Sequence, residues 1–375
     1  MNILFTCGGT AGHINPAVAL ARVFQNHHGD CQVLFVGADG GMETRLVPKE
    51  GYECRTVTVQ HLDHHKSLAA LKKNLSVLAG LRTAQKQANA ILDEFQPDLV
   101  VGTGGYASFP VVKAAAKRGI PTAIHESNAV PGVTTKSLAG VVDLVMVGFE
   151  AALPHYGKAK RVEVTGTPVR PDFFRYTRTE ARAQLGLTDE LPLVLSFWGS
   201  LGAEKMNGYM EDFMALAARD RAPFHHIHSG GRNYDAMVEH LQEKGVRLAD
   251  NPNLDLRQYI YDMPTVMAAA DLVLCRAGAA TLSELAAIAK PSILVPSPNV
   301  TADHQTKNAK VLADQGGAIL LPESQCSGEA LYRQAIDLLV EHPVRRTEMS
   351  RALAGMAKTD AAEHIYETLR GIMRQ

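Results

Sequence analysis

Two kinds of segment alternate along the chain: short, nearly all-apolar runs, and longer stretches in which apolar positions return every three or four residues. The first runs are ILFT (3–6), VLFV (33–36), LVVG (99–102), TAIH (122–125) and LVMV (144–147), with helix-like stretches near 16–27, 42–49, 67–95, 110–118 and 133–140. Strands that are apolar on both faces and separated by helices predict a parallel sheet covered on both sides. The pattern then restarts with LVLSF (193–197), HHIHS (225–229), LDLRQYI (254–260), LVLC (272–275), SILVP (292–296) and AILLP (318–322), again interleaved with helices. Between the two series, VTGTPVRPDFFR (164–175) is rich in Pro and Gly, lacks a period and reads as the linker. Two doubly wound α/β domains are therefore expected, 1–165 and 166–344, with ligands where the carboxyl ends of both sheets face a shared cleft. The segments 345–357 and 361–374 read as helices, and the tail from about 345 to 375 is expected to pack back on the first domain.

Composition narrows the function classes. A length of 375 residues suits two cores better than one. The formal net charge of −1 gives no global reason to expect a nucleic-acid partner. Five cysteines, odd in number and without a CxxC pair, fit free thiols in a reducing compartment. The N-terminus opens at once on a strand-like run, without the pattern of a signal peptide, and no stretch approaches the ~20 apolar residues of a membrane span. A cytoplasmic protein is the expectation.

The chemistry concentrates where strands turn into helices. CGGTAGHINP (7–16) matches neither the dinucleotide fingerprint nor a P-loop, which disfavours a nicotinamide-dependent oxidoreductase. Its glycines Gly8, Gly9 and Gly12 allow a ligand to approach the backbone. Asn15-Pro16 reads as an N-cap followed by Pro at the first helical position, which would leave His13 on the loop. An anion can rest on exposed amides there, and His13, unlike a lysine, can accept a proton near neutral pH; a histidine that only closes the turn is the alternative. GTGGYASFP (102–110) is a second such turn, with Gly104 and Gly105 permissive and Tyr106 and Ser108 as donors. FWGSLGAEKMN (197–207) is a third, with Ser200 suited to a phosphate. In RAGAATLSELAAIAKP (276–291), Thr281 and Glu284 fit a capping box, or else Glu284 accepts hydrogen bonds from a ribose diol and the cap lies at Gly278. NVTADHQTKNA (299–309) offers His304, Gln305 and Asn308 to sugar hydroxyls. The histidines of HLDHH (61–65) and HHIH (225–228) have no metal-ligand spacing, and no metal or cofactor is expected.

From His64 to Leu92 there is no acidic residue, while Lys66, Lys72, Lys73, Arg82 and Lys86 are present and Leu68, Leu71, Leu75 and Leu78 recur at helical spacing. Such a stretch (66–86) can lie on an anionic membrane surface, or bury its leucines in the core.

Taken in order, GGTAGHINPAVALA, GMETRLVPKEGY, GTGGYASFP, HESNAVPG, GTPVR, GSLGA, YIYDM, RAGAATLSE and DHQTKNA resemble the MurG family over essentially the whole chain. The resemblance implies a GT-B fold of two Rossmann-like domains and inverting transfer of N-acetylglucosamine from UDP-GlcNAc to lipid I, the undecaprenyl-diphospho-muramoyl pentapeptide. The product is lipid II, made for peptidoglycan at the cytoplasmic face of the membrane, hence a part in cell wall biogenesis, cell shape and cell division. It implies that Ile260 touches uracil through its backbone, Glu284 the ribose, Ser200 a phosphate, and Ala279, Ala280 and Thr281 the nucleotide sugar. His304, Gln305 and Asn308 would hold the GlcNAc, and Arg170 would reach the nucleotide. Thr10, Ala11, Gly12 and Asn128 would also contact the donor, Gly9, Gly104, Gly105 and Tyr106 would cradle the acceptor, and His13 is the candidate base. Three departures stand out: Trp198 where glycine is frequent, Glu204 where arginine is frequent, and QHLDHHK (60–66) in place of a Gly- and Arg-bearing segment. The rivals are a diacylglycerol glycosyltransferase, a UDP-GlcNAc 2-epimerase and a non-catalytic binding subunit. Doubled glycine turns disfavour the first, the basic leucine stretch the second and the presence of both domains the third.

Overall fold

The structure, a computed structural model, describes residues 1–59, 68–199 and 203–373, with 68–79 and 301 described in their backbone only. It divides into two compact units, Met1–Arg170 with Lys358–Gln375, and Pro171–Ala357. The chain thus leaves the first unit inside the expected linker, five residues beyond the boundary read from sequence.

In the first unit the order is β1 (Asn2–Thr6), α1 (Ala11–His27), β2 (Gln32–Ala38), α2 (Glu43–Lys49), β3 (Glu53–Val57), α3 (Leu68–Phe95), β4 (Leu99–Gly102), α4 (Ser108–Lys117), β5 (Thr122–Glu126), α5 (Val133–Leu138), β6 (Leu144–Val147) and β7 (Val162–Val164). All seven strands are parallel, in the order β3-β2-β1-β4-β5-β6-β7. Inner strands are buried on both faces, which is why they read as apolar runs. The two strands the apolar runs do not reveal, β3 (ECRTV) and β7 (VEV), are the sheet's two edges, where a polar residue keeps its contact with water.

The second unit runs α6 (Arg178–Gln184), β8 (Leu193–Phe197), α7 (Glu204–Arg219), β9 (His225–Ser229), α8 (Tyr234–Glu243), β10 (Leu254–Arg257), α9 (Met263–Ala269), β11 (Leu272–Cys275), α10 (Ala279–Ala287), β12 (Ser292–Leu294), α11 (His304–Ala313), β13 (Ala318–Leu320), α12 (Gly328–Ile336) and α13 (Pro343–Met356). Its six parallel strands follow β10-β9-β8-β11-β12-β13. The tail divides, contrary to the expectation that it packs back whole. Helix α13 stays in the second unit, where Met349 is in the core and Leu353 fills the space a side chain at Gly317 would need. Only α14 (Ala361–Met373) returns to the first, burying Ile365, Tyr366, Leu369 and Ile372 in the core that also holds Phe24 of α1.

All five thiols are unpaired. Among the described residues no helix is long and apolar enough to cross a membrane. Of the basic leucine stretch, Lys66 and the HLDHH histidines lie outside the described residues. Leu68, Leu71, Leu75, Leu78, Lys72 and Lys73 are described in their backbone only; further along α3, Ala84, Ala88, Ile91 and Leu92 enter the core, leaving Arg82 and Lys86 exposed.

Candidate functional site

Each sheet changes winding direction once, between β1 and β4 in the first unit and between β8 and β11 in the second. The crevice outside the carboxyl ends of such a strand pair is where open α/β sheets bind ligands. The glycine turns found in the sequence leave the sheets at these two places.

In the first unit the turns after β1 and β4 interlock. A Cβ on Gly105 would stand 2.5 Å from the Gly8 carbonyl oxygen, and one on Gly104 would stand 2.7 Å from His13 Cδ2. Both glycines have positive φ, +112° at Gly104 and +88° at Gly105. Thr103 Oγ1 donates to the His13 carbonyl at 2.7 Å, tying the second turn to the start of α1. Ser108 is not a ligand donor as expected, because it is buried and its hydroxyl lies 2.9 Å from the Thr6 carbonyl and 2.8 Å from that of Gly104. Tyr106 beside it is exposed.

Helix α1 also begins earlier than its sequence suggests. The cap is Thr10, in extended conformation, and Pro16 sits inside the helix instead of opening it. Proline's fixed φ suits the helix, and what is lost is one bond to the Gly12 carbonyl. Burial of Ile14, Pro16 and the residues after them holds the turn in place. His13 therefore belongs to the first helical turn. The amides of Ala11 and Gly12 lie in that turn too, where helix geometry leaves N–H groups without intrahelical acceptors. His13 Nδ1 is 2.7 Å from the Gly8 carbonyl oxygen. A carbonyl can only accept, so Nδ1 carries the hydrogen and Nε2 bears the lone pair in the neutral ring.

The Gly9 amide is not open to a ligand, since it donates to Glu43 Oε2 at 3.1 Å. Glu43 is fully buried and also accepts from the Ala38 amide at 2.7 Å. Burial first, and Glu43 second, push the Cys7 thiol well above its ordinary range, which makes Cys7 a packing residue and not a nucleophile. At the end of β5, buried Glu126 accepts from the Asn128 amide (3.0 Å) and side chain (2.8 Å), from the Gly132 amide (2.9 Å) and from the Thr135 hydroxyl. It fixes the loop that presents Asn128. His125 is buried against the Gly166 carbonyl (2.8 Å), and burial lowers its pKa.

In the second unit a cavity of about 300 Å3 opens between the turn after β8 and the start of α10, lined by Trp198, Gly199, Arg276, Gly278, Thr281 and Gln305 among others. Ser200 falls outside the described residues. The cap of α10 is Gly278, so Thr281 and Glu284 sit inside the helix and form no capping box. The amides of Ala279, Ala280 and Thr281 form the helix's first turn, a favourable place for a phosphate. Arg276 donates to the Val295 and Pro296 carbonyls (3.1 Å each) and pairs with Glu323 (2.7 Å), which also holds Lys205 (3.1 Å). This cluster joins three turns at the sheet's carboxyl edge.

Gln305 Oε1 accepts from the Ser297 amide at 2.8 Å, so its NH2 end is the one left for a ligand. Asn308 is buried and its Nδ2 lies 3.3 Å from the Ala277 carbonyl, which ties it to the turn before α10. His304 opens α11 after two left-handed residues, Ala302 (φ +55°) and Asp303 (φ +51°). Ile260 is buried just beyond β10, between the exposed Tyr259 and Tyr261, and Arg170 ends the first unit's main segment. Of the departures, Trp198 is buried in the core and lines the cavity, and Glu204 starts α7 exposed.

The residues that sequence reading left without a role are Glu43, Glu126 and Arg276. Each is a charged side chain at a strand end, in a turn or in a short helix, where the usual inference is solvent, and only the glycines around Glu43 hinted otherwise.

Residues 3–147 match the glycosyltransferase family 28 N-terminal domain and residues 193–365 its C-terminal domain. The chain is 42% identical over 372 residues to the UDP-N-acetylglucosamine--N-acetylmuramyl-(pentapeptide) pyrophosphoryl-undecaprenol N-acetylglucosamine transferase of Caldanaerobacter subterraneus, covering 99% of this chain and 100% of that one. It is 38% identical to the protein of the same name from Acetivibrio thermocellus, over 100% of this chain and 99% of the other. Among solved structures, MurG of Acinetobacter baumannii superposes with a TM-score of 0.73 at 27% identity over 99% of both chains. UDP-GlcNAc 2-epimerase of Neisseria meningitidis, at 0.67 and 15% identity over 99% of this chain and 100% of that one, shares the fold.

Proposed function

Because this chain belongs to the MurG family within glycosyltransferase family 28, we propose that it transfers N-acetylglucosamine from UDP-GlcNAc to the muramoyl 4-hydroxyl of lipid I, with inversion, giving lipid II. Full-length identity to a transferase of that name supports the reaction. The single geometric observation that supports the roles is the bond from His13 Nδ1 to the Gly8 carbonyl, which leaves Nε2 able to take a proton.

The second unit holds the donor. Glu284 receives the ribose hydroxyls, the main chain at Ile260 the uracil, and the amides of Ala279, Ala280 and Thr281, with Ser200, the diphosphate. The NH2 of Gln305 and the ring of His304 meet the GlcNAc, while Asn308 holds the turn that carries α10. Thr10, Ala11, Gly12, Asn128 and Arg170 supply further donor contacts. In the first unit Gly104, Gly105 and Tyr106 shape the acceptor cradle, and Gly9 contributes its conformation (φ +84°) and not its amide.

In the chemical step the 4-hydroxyl oxygen bonds to the anomeric carbon as its proton passes to His13 Nε2. The bond from that carbon to the β-phosphate oxygen breaks, and its electron pair leaves with UDP. Helix-start amides stabilise the charge that develops there. The exposed Arg82 and Lys86 of α3, with the lysines before them, draw the enzyme to an anionic membrane surface on the cytoplasmic side, where lipid I is met; the products serve wall growth, cell shape and division.

The test is one assay with labelled UDP-GlcNAc, EDTA and a lipid I analogue, presented in detergent or in vesicles with and without anionic lipid. Labelled lipid II, formed faster on anionic vesicles, is expected. Conversion of UDP-GlcNAc to its 2-epimer, or label on diacylglycerol, would sink the transferase reading, and equal rates on both vesicles would sink the membrane reading.

A further inference from the structure

We propose that Glu43 is a positioning residue for His13, acting through the single peptide group between Gly8 and Gly9. This rests on the reading of His13 as the base. The Gly9 N–H and the Gly8 C=O belong to the same planar trans amide and point in opposite directions. Glu43 Oε2 accepts from the N–H at 3.1 Å, and the carbonyl accepts from His13 Nδ1 at 2.7 Å. The order is carboxylate, peptide, imidazole. A peptide flanked by two glycines has little intrinsic preference for one orientation, so bonds on both sides decide where its carbonyl points. With the carbonyl aimed at Nδ1, the histidine is held as the tautomer whose Nε2 lone pair can receive the acceptor's proton.

The surroundings of Glu43 are built for a carboxylate at this point. A Cβ on Gly8, Gly37 or Gly41 would stand 2.6, 2.1 or 2.3 Å from Glu43 side-chain atoms, so three backbones close on it directly. Its other oxygen is anchored by the Ala38 amide at 2.7 Å, at the end of β2, so the carboxylate cannot turn away. A fully buried carboxylate is costly, and a neutral polar residue would suffice merely to close a turn. The arrangement does for His13 what a directly bonded aspartate does for the histidine of a Ser-His-Asp triad, with an amide inserted between.

The experiment combines Glu43→Gln, His13→Ala and the double variant with 15N spectroscopy of histidine-labelled enzyme. In the unaltered enzyme His13 is expected to carry its hydrogen on Nδ1; a hydrogen on Nε2 overturns the proposal without any variant. Glu43→Gln is expected to lower kcat by about 10- to 100-fold, leave KM for UDP-GlcNAc unchanged and give mixed tautomers. In the His13→Ala background the same substitution is expected to have no further effect. An equal loss in both backgrounds assigns Glu43 to folding alone and overturns the proposal. A His13→Ala enzyme with undiminished kcat instead removes the base itself, a separate failure that takes the relay with it.

Discussion

Gly104 lacks a side chain because the His13 ring occupies the place where one would go. A methyl there would meet Cδ2 at 2.7 Å and Nε2 at 2.9 Å, and φ is +112°. Gly104→Ala is therefore expected to displace the ring and lower kcat by roughly 100-fold or more, since small misplacements of a reacting group cost about that much. Binding of UDP to the second unit, read by calorimetry, is expected to stay the same. Unchanged kcat would mean that the ring is not needed where it sits. At this scale the sequence was legible in part: the glycine positions and His13 stand out, but the partners of the polar atoms do not. Ser108 looks like a ligand donor in sequence, but its hydroxyl is buried against the Thr6 and Gly104 carbonyls, and the Asn308 amide is tied to the Ala277 carbonyl.

At the scale of elements, β8 and β9 carry a polar cluster inside the second core. Ser196 Oγ lies 2.7 Å from both His226 Nε2 and His228 Nδ1, and paired parallel strands put Ser196 opposite His228. Alternation along β9 sends both histidines to one face, where Phe213 packs edge-on against His226. Burial lowers both, His226 well below its ordinary range and His228 to about 3. Their ordinary value is 6.5, so above that pH folded and unfolded states bind the same protons. Below it the unfolded state takes protons that the folded state refuses, and stability falls as pH drops from 6.5 towards about 3. Each histidine contributes a slope of about 1.4 kcal/mol per pH unit in that window. Thermal midpoints of the second unit measured between pH 7 and 5 are expected to fall, and His226→Phe combined with Ser196→Ala to flatten the slope by about one proton. A pH-independent midpoint would refute this.

For the whole molecule, the returning C-terminal helix decides whether the first unit has a complete core. Phe24 meets Tyr366 edge-to-face at 5.1 Å, and Tyr366 Oη lies 2.9 Å from His28 Nε2. Burying Ile365, Tyr366, Leu369 and Ile372 at about 1.5–3 kcal/mol each, as an upper bound, rivals the net stability of a domain. A chain ending at Ala357 is expected to lose the calorimetric transition of the first unit while that of the second keeps its midpoint. If both transitions survive, α14 is dispensable and the tail's return has another purpose.

The positions of the apolar strands, the restart of the α/β pattern, the glycine turns at both switch points and the family were determined by sequence alone. Each depends on a residue's own apolarity or conformational freedom, or on near neighbours, and such properties survive without coordinates. The polar edges β3 and β7, the early start of α1, the division of the tail and the burial of Glu43 were decided only by tertiary structure. A carboxylate opening a seven-residue helix looks solvated in sequence, and what makes it buried is the approach of Gly8 from a distant turn. Which nitrogen of His13 bears the proton is settled in the same way, by a carbonyl that a glycine turn folds back upon it.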